Sequence, residues 1–245
     1  MIGRRSIIGI AVLCAAAFSA IAVANASAAQ RAWSCQNIGV SYKDPHCTTF
    51  VGTGGSFSRI NNIENGKATK ITGTNAKTAS ETTAAAPSIL KGALSGVETE
   101  LQCTGLSGTG ELTNAEASVS GTGVITYTGC SVTKPSGKGC KVNEAKVVTK
   151  KLAATTVGQA ANNLKFTPNE GTEFASIKIE SCSNEALNNT FPVTGSLVAT
   201  TSGATTTTTH AGITTQNTLK FGGVKAGLEG SLTISMEGGD PIVLE

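Results

Sequence analysis

VETELQC, residues 97–103, places Val97, Thr99, Leu101 and Cys103 in one phase and Glu98, Glu100 and Gln102 in the other. A period of two residues is that of a strand with one face buried and the other in water. Two more stretches share this pattern and also end on a cysteine. In FASIKIESC (174–182), Ala175, Ile177 and Ile179 alternate with Ser176, Lys178 and Glu180; GTGVITYTGC (121–130) carries a strand over 122–128. Near the C-terminus Leu228, Leu232, Ile234 and Met236 alternate with Glu229, Ser231, Thr233 and Ser235, before a Gly238-Gly239-Asp240-Pro241 turn and a last short strand.

Working outward, further strands are predicted at 142–149, 164–167, 193–200 and 218–221. Many short strands with Gly and Pro between them predict an all-β chain, an antiparallel β-sandwich or open β-barrel. Asn65-Gly66 predicts a two-residue hairpin turn with arms at 57–63 and 68–72. Residues 73–86 are rich in Thr, Ala and Ser and read as a loop or linker ending near Pro87. Only 80–94 would tolerate a short helix. The implied organisation is a small N-terminal disulfide-containing segment and linker over 29–90, followed by a main β domain over 91–245.

Residues 1–28 read as a secretory signal peptide, the one helix expected. Arg4 and Arg5 precede an apolar run, and small residues offer cleavage after Ala26 or Ala28. Cys14 leaves with that run, and six cysteines remain. In an exported chain an even set reads as disulfides rather than metal ligands. Cys35 and Cys47 can close a small loop, Cys130 and Cys140 flank the turn-rich TKPSGKG, and Cys103 and Cys182 are then expected to pair across strands. Asp44, His46 and Cys47 resemble a metal trio, but Cys47 is committed to the bridge, so no metal is expected.

Of 19 basic side chains only Arg4 and Arg5 go with the leader, so 17 face 16 acids. That balance excludes bulk electrostatic attraction to nucleic acid. Lys134, Lys138, Lys141, Lys146, Lys150 and Lys151 gather around one acid, Glu144, and read as a solvated hairpin edge that blocks strand pairing. With no second long apolar run, no membrane partner is expected once the leader is removed.

Catalytic patterns are missing. The histidines are His46 and His210 and the aspartates Asp44 and Asp240, with no G-x-S-x-G elbow. Glu98, Glu100, Glu180, Glu229 and Glu237 could supply the carboxylate pair of a glycosidase, but they occupy the polar phase of their strands. GTGG, SGTGEL and SGTGV open no helix and carry no phosphate-loop lysine, so no cofactor is implied. The run 205–209 reads as edge-strand threonine.

The combination of WSC, GTG…TYTGC, FASIKIESC followed by VTGSLVA, and the final LKFGGVKAGLEGSLTIS resembles a group of uncharacterised secreted all-β, disulfide-containing proteins of high-GC Gram-positive (actinobacterial) soil bacteria. The resemblance implies an extracellular or cell-surface β domain and brings no activity, substrate or catalytic residue. The leading expectation is a non-enzymatic structural, adhesive or envelope-associated domain whose partner is a cell-wall polymer or an extracellular protein. A carbohydrate-binding or carbohydrate-active protein is the alternative, and it predicts Trp33, Tyr42 or Tyr127 exposed in one groove. A secreted interaction module predicts an exposed apolar patch.

Overall fold

A computed structural model describes residues 31–76, 86–116, 118–157, 163–202, 205–208 and 217–244. The expected leader over 1–28 lies outside them, as do His210, Thr209 and most of the expected linker. Among the described residues no helix is long and apolar enough to cross a membrane.

Among the described residues strands dominate, with only two short 3-10 turns beside them. In order the strands are β1 (Ala32–Gln36), β2 (Ser58–Ile60), β3 (Thr69–Asn75), β4 (Ser88–Leu94), β5 (Val97–Asn114), β6 (Val119–Lys134), β7 (Lys141–Val142), β8 (Lys146–Val148) and β9 (Leu152–Thr156). They continue with β10 (Asn163–Pro168), β11 (Glu173–Glu180), β12 (Thr190–Thr194), β13 (Leu197–Ser202), β14 (Thr205–Thr208), β15 (Lys220–Phe221), β16 (Val224–Lys225), β17 (Gly227–Met236) and β18 (Ile242–Leu244). All ladders between them are antiparallel.

One ribbon organises the rest. β5 and β6 pair over almost their whole length, from Glu100↔Lys134 to Asn114↔Val119. At about 3.4 Å per residue, β5 spans about 60 Å, long enough to serve two cores. Its second half belongs to a closed barrel, in which β3, β5, β6, β9, β10, β13, β14 and β17 pair in turn and β17 returns to β3. Its first half belongs to a curled sheet, in which β4 flanks β5 while β7, β11, β12, β15 and β16 continue beyond β6. The fold is therefore the expected all-β one, with a closed barrel rather than an open one.

The predicted phase of the opening stretch holds. Thr99, Leu101 and Cys103 are buried, and Leu101 and Cys103 pack with Cys130, Ile177, Ile179, Phe191 and Phe221 in the larger core. Beyond Cys103 the inward phase changes, because Leu106, Leu112 and Asn114 are the buried residues of the barrel half. The register survives the change: Cys103↔Cys130 and Gly105↔Thr128 belong to one continuous ladder, in which Thr104 and Gly129 make no pair. Both strands thus turn over together.

Composition explains how. Antiparallel Thr104-Gly105 and Thr128-Gly129 set each threonine against the opposite glycine. A Cβ on Gly105 would collide with Thr128 Oγ1, and one on Gly129 with Thr104 Oγ1. Gly129 also has φ +60°, a left-handed conformation that glycine alone adopts at little cost.

A small third sheet, β18-β1-β2, lies against one end of the barrel. Ala32, Ile63, Ile242 and Leu244 pack there on Leu112, Val119 and Leu164. Fully buried Asn114, at the end of β5, ties this layer down: its amide donates to the Ala32 and Ile63 carbonyls at 3.1 and 3.0 Å and accepts from the Ala32 N–H at 2.9 Å.

Several expectations change. Cys35 pairs with Cys47 as expected, but Cys103 bonds Cys130 and Cys140 bonds Cys182. The reason is register. β6 lies on β5 throughout, which sets Cys130 opposite Cys103, and the Lys141↔Glu180 pairing of β7 and β11 brings their flanking cysteines together. The lysine-rich region is no edge, since β7 lies between β6 and β11. The arms beside Asn65-Gly66 do not pair with each other: β2 joins β1, and β3 joins β5 and β17. A stave of the barrel therefore comes from within 29–90, while β4 crosses the 90/91 division as a strand instead of a helix. β14 is likewise an interior stave, between β13 and β17.

Candidate functional site

A concavity of about 360 Å³ lies on the outer face of the barrel over β3, β5 and β6. Strand alternation builds it. Ile71, Leu112 and Val119 point inward, which leaves Lys70, Thr72, Thr109, Glu111 and Thr122 on the outside. Register sets them in rows, Lys70 beside Glu111 beside Thr122 and Thr72 beside Thr109. Lys151 and Glu237 complete the rim.

Gly110 and Gly123 belong to the inward phase and give the floor only their backbone. Gly110 and Gly123 are directly opposed, and a Cβ on Gly123 would stand 2.8 Å from the Thr109 carbonyl oxygen, while one on Gly110 would collide with that of Thr122. The backbones approach too closely there for any side chain. Charge on the rim is of both signs: Lys70 Nζ lies 3.7 Å from Glu237 Oε2, both side chains are about 70 % exposed, and the Glu237 N–H donates to the Lys70 carbonyl. Hydroxyls, ammonium groups and carboxylates on multiply paired strands can accept and donate hydrogen bonds to a polar chain laid across them. The volume falls in the range of small-molecule sites.

The carboxylates considered from sequence are dispersed. Glu98 meets Lys134 at 2.7 Å, Glu100 lies between Lys91 at 3.6 Å and Lys134 at 3.9 Å, and Glu180 meets Lys178 at 3.1 Å. Only Glu237 reaches the concavity, joined there by Glu111. Both are exposed side chains, unlike the enclosed acid that protonates a glycosidic oxygen. The Lys134 hydrogen bond to Glu98 holds that carboxyl below its usual range and raises the lysine; in the open solvent such a pair adds little stability.

Asp44 orders its own loop. Its carboxylate accepts from the backbone N–H groups of His46, Thr48 and Thr49 at 3.0, 3.1 and 2.7 Å. Partial burial tends to raise its pKa, and the Thr48 and Thr49 hydrogen bonds outweigh that to leave it lowered. Among the described residues no group of three His, Cys, Asp or Glu is placed to hold a metal. Asp240 accepts from Gln36 Nε2 at 2.7 Å and joins β1 to the C-terminal turn.

The aromatics do not share a groove. Tyr42 packs edge-on against Phe50, 5.3 Å between centroids, beneath the Arg59 guanidinium; Trp33 lies in β1; Tyr127 faces the interior beside the larger core. The N-terminal loops expose Ile38, Val40 and Phe50, at 73, 57 and 67 %. The outer concavity was not signalled by any motif. Its one trace in sequence is the G-T-G spacing of residues 108–110 and 121–123, whose partner strand β3 is far away in the chain. Compared with protein-family models, curated proteins and solved structures, the chain has no match.

Proposed function

We propose that this is a secreted, non-enzymatic β domain that adheres to a polymer of the cell envelope through the outer concavity of its barrel. The observation that supports this reading is the convergence of Thr72, Thr109, Thr122, Lys70, Lys151, Glu111 and Glu237 on a rigid surface with no aromatic platform. Such a set suits a polyhydroxylated chain bearing amino and carboxyl groups, each held by several weak polar contacts. Export rests on the leader reading of 1–28, and three disulfides agree with an oxidising compartment.

The test is retention of the oxidised protein on isolated cell-wall fractions and on a glycan array, with unfolded protein as control. Thr109→Val with Thr122→Val, and separately Lys70→Glu with Lys151→Glu, should reduce retention about tenfold while the melting temperature stays within a few degrees. Equal retention by wild type and both double variants would refute the assignment.

A second reading draws on Ile38, Val40 and Phe50, whose exposure on disulfide-tied loops favours an extracellular protein partner. In that case Phe50→Ser would abolish binding and the threonine variants would leave it intact.

A further inference from the structure

Between Ser131 and Lys151 the chain carries six lysines and one acid, Glu144. β7 is covered on both sides, so these lysines protect no edge, and the register sets them in a row instead. Ser131 pairs with Lys141, and Thr128 with Lys146. Buried Val142 and Val147 put Lys141 and Lys146 on the outer face, where Ser131 and Thr128 are exposed as well. Lys151 precedes Leu152, the partner of Gly123, and stands with Val124 and Thr122 at the rim of the outer concavity. Ammonium groups and hydroxyls thus follow β6 side by side from Ser131 to Thr122, a length of about 30 Å at about 3.4 Å per residue.

The charges of this row are not compensated within the protein. Nearby, Lys134, Lys150 and Lys178 meet Glu98, Glu173 and Glu180 at 2.7, 3.7 and 3.1 Å. Among the described residues Lys138, Lys141, Lys146 and Lys151 make no ion pair. Glu180 flanks Lys141 on the side away from β6, but it is the partner of Lys178. Glu144, in the turn between β7 and β8, is the acid among them left without a lysine. Four ammonium groups against one carboxylate attract a polyanion, and their arrangement along one strand favours a linear one.

We propose that the outer face of β6 binds a linear polyanion in which hydroxylated units are joined by phosphodiesters. The chain lies along the strand, with Lys141, Lys146 and Lys151 taking successive phosphates and the hydroxyls of Ser131 and Thr128 donating to their oxygens. The stretch holds lysine and no arginine: an ammonium is a point charge that suits a phosphodiester oxygen, whereas the planar fork of arginine is what grips a carboxylate by both oxygens. Tyr127 faces the interior, so nucleobases would find no aromatic platform on this row. The surface meets the outer concavity only at Lys151 and stands without the adhesive function.

The test uses the full oxidised chain and a labelled glycerol-phosphate oligomer long enough to span the row, followed by fluorescence anisotropy. Saturable binding is expected, weakening about fifteenfold from 50 to 200 mM NaCl, as three phosphate contacts require. Lys141→Gln with Lys146→Gln, both outside the concavity, should weaken binding at least tenfold at the lower salt and cut the salt effect to about threefold. Lys141→Arg with Lys146→Arg, which keeps both charges, should bind within about twofold of the wild type. The proposal is overturned by lack of saturable binding, by equal affinity for neutral dextran or for polygalacturonate, by tighter binding of oligothymidylate of equal phosphate count, or by an unchanged salt effect in the glutamine pair. Retention on cell-wall fractions without oligomer binding would refute this inference alone, and oligomer binding without retention would refute the adhesive function alone.

Discussion

Replacing Gly129 by alanine tests the turnover of the central ribbon. Two costs arise from separate features. The residue has φ +60°, and a side chain in the left-handed region costs about 1–2 kcal/mol. The new Cβ also meets Thr104 Oγ1, and driving that side chain off its rotamer costs about 0.5–1.5 kcal/mol. The total is about 2–3 kcal/mol, a loss of about 5–10 °C in melting temperature for a domain of this size. Gly105→Ala pays the second cost alone, through Thr128 Oγ1. Gly137→Ala pays the first alone, since its φ is +67° and no atom lies within 4 Å of the added Cβ. Guanidinium unfolding of each variant, alone and combined with Thr104→Ala or Thr128→Ala, separates the contributions as a double-mutant cycle. Thr104→Ala should recover only part of the Gly129→Ala loss, and Thr128→Ala almost all of the Gly105→Ala loss. Full rescue of Gly129→Ala, or zero coupling between Gly105 and Thr128, would refute the reasoning.

Asn114→Ala should cost about 3 kcal/mol or more, because it leaves backbone groups of Ala32 and Ile63 without their side-chain partner inside the protein; hydrogen exchange at the Ala32 amide should quicken by orders of magnitude, and native-like protection there would contradict the tie. Tyr127 predicts an alkaline weakness. Its folded pKa is raised from 10.0 to about 12, so its contribution is fully present below pH 10 and is lost as pH rises through 12, worth about 2–3 kcal/mol. Urea unfolding at pH 9 and pH 11.5 should show a smaller pH effect in Tyr127→Phe than in the wild type.

The strands with clean alternation were legible in the sequence, because one buried face imposes a period of two. Val97 to Cys103 and Ile177 to Ile179 show this directly. What alternation could not convey is that one strand serves two cores with opposite faces, since the change of phase rests on how Thr104-Gly105 meets Thr128-Gly129 across the ladder. The disulfides failed in the same way. Cys130 and Cys140 are close in sequence, but the β5–β6 register puts Cys130 opposite Cys103. The lysine cluster suggested an edge because charge is common there, whereas β7 is covered on both sides. The outer concavity joins Lys70 to Thr109, Thr122 and Lys151, residues whose proximity depends on β3 entering the barrel from a segment that reads as separate.

The central claim, that β5 and β6 form one continuous ribbon on which both cores are built, is tested most directly by the disulfide map of the unreduced protein. Trypsin does not cut at Lys134-Pro135, so Cys103 and Cys130 remain in one peptide, 92–138, while Cys140 lies in 139–141 and Cys182 in 179–220. Mass spectrometry should find 92–138 with an internal bond and 139–141 joined to 179–220. A single assembly of all three peptides, with Cys130 bonded to Cys140 and Cys103 to Cys182, would contradict the register from which the ribbon, the barrel and the outer concavity all follow.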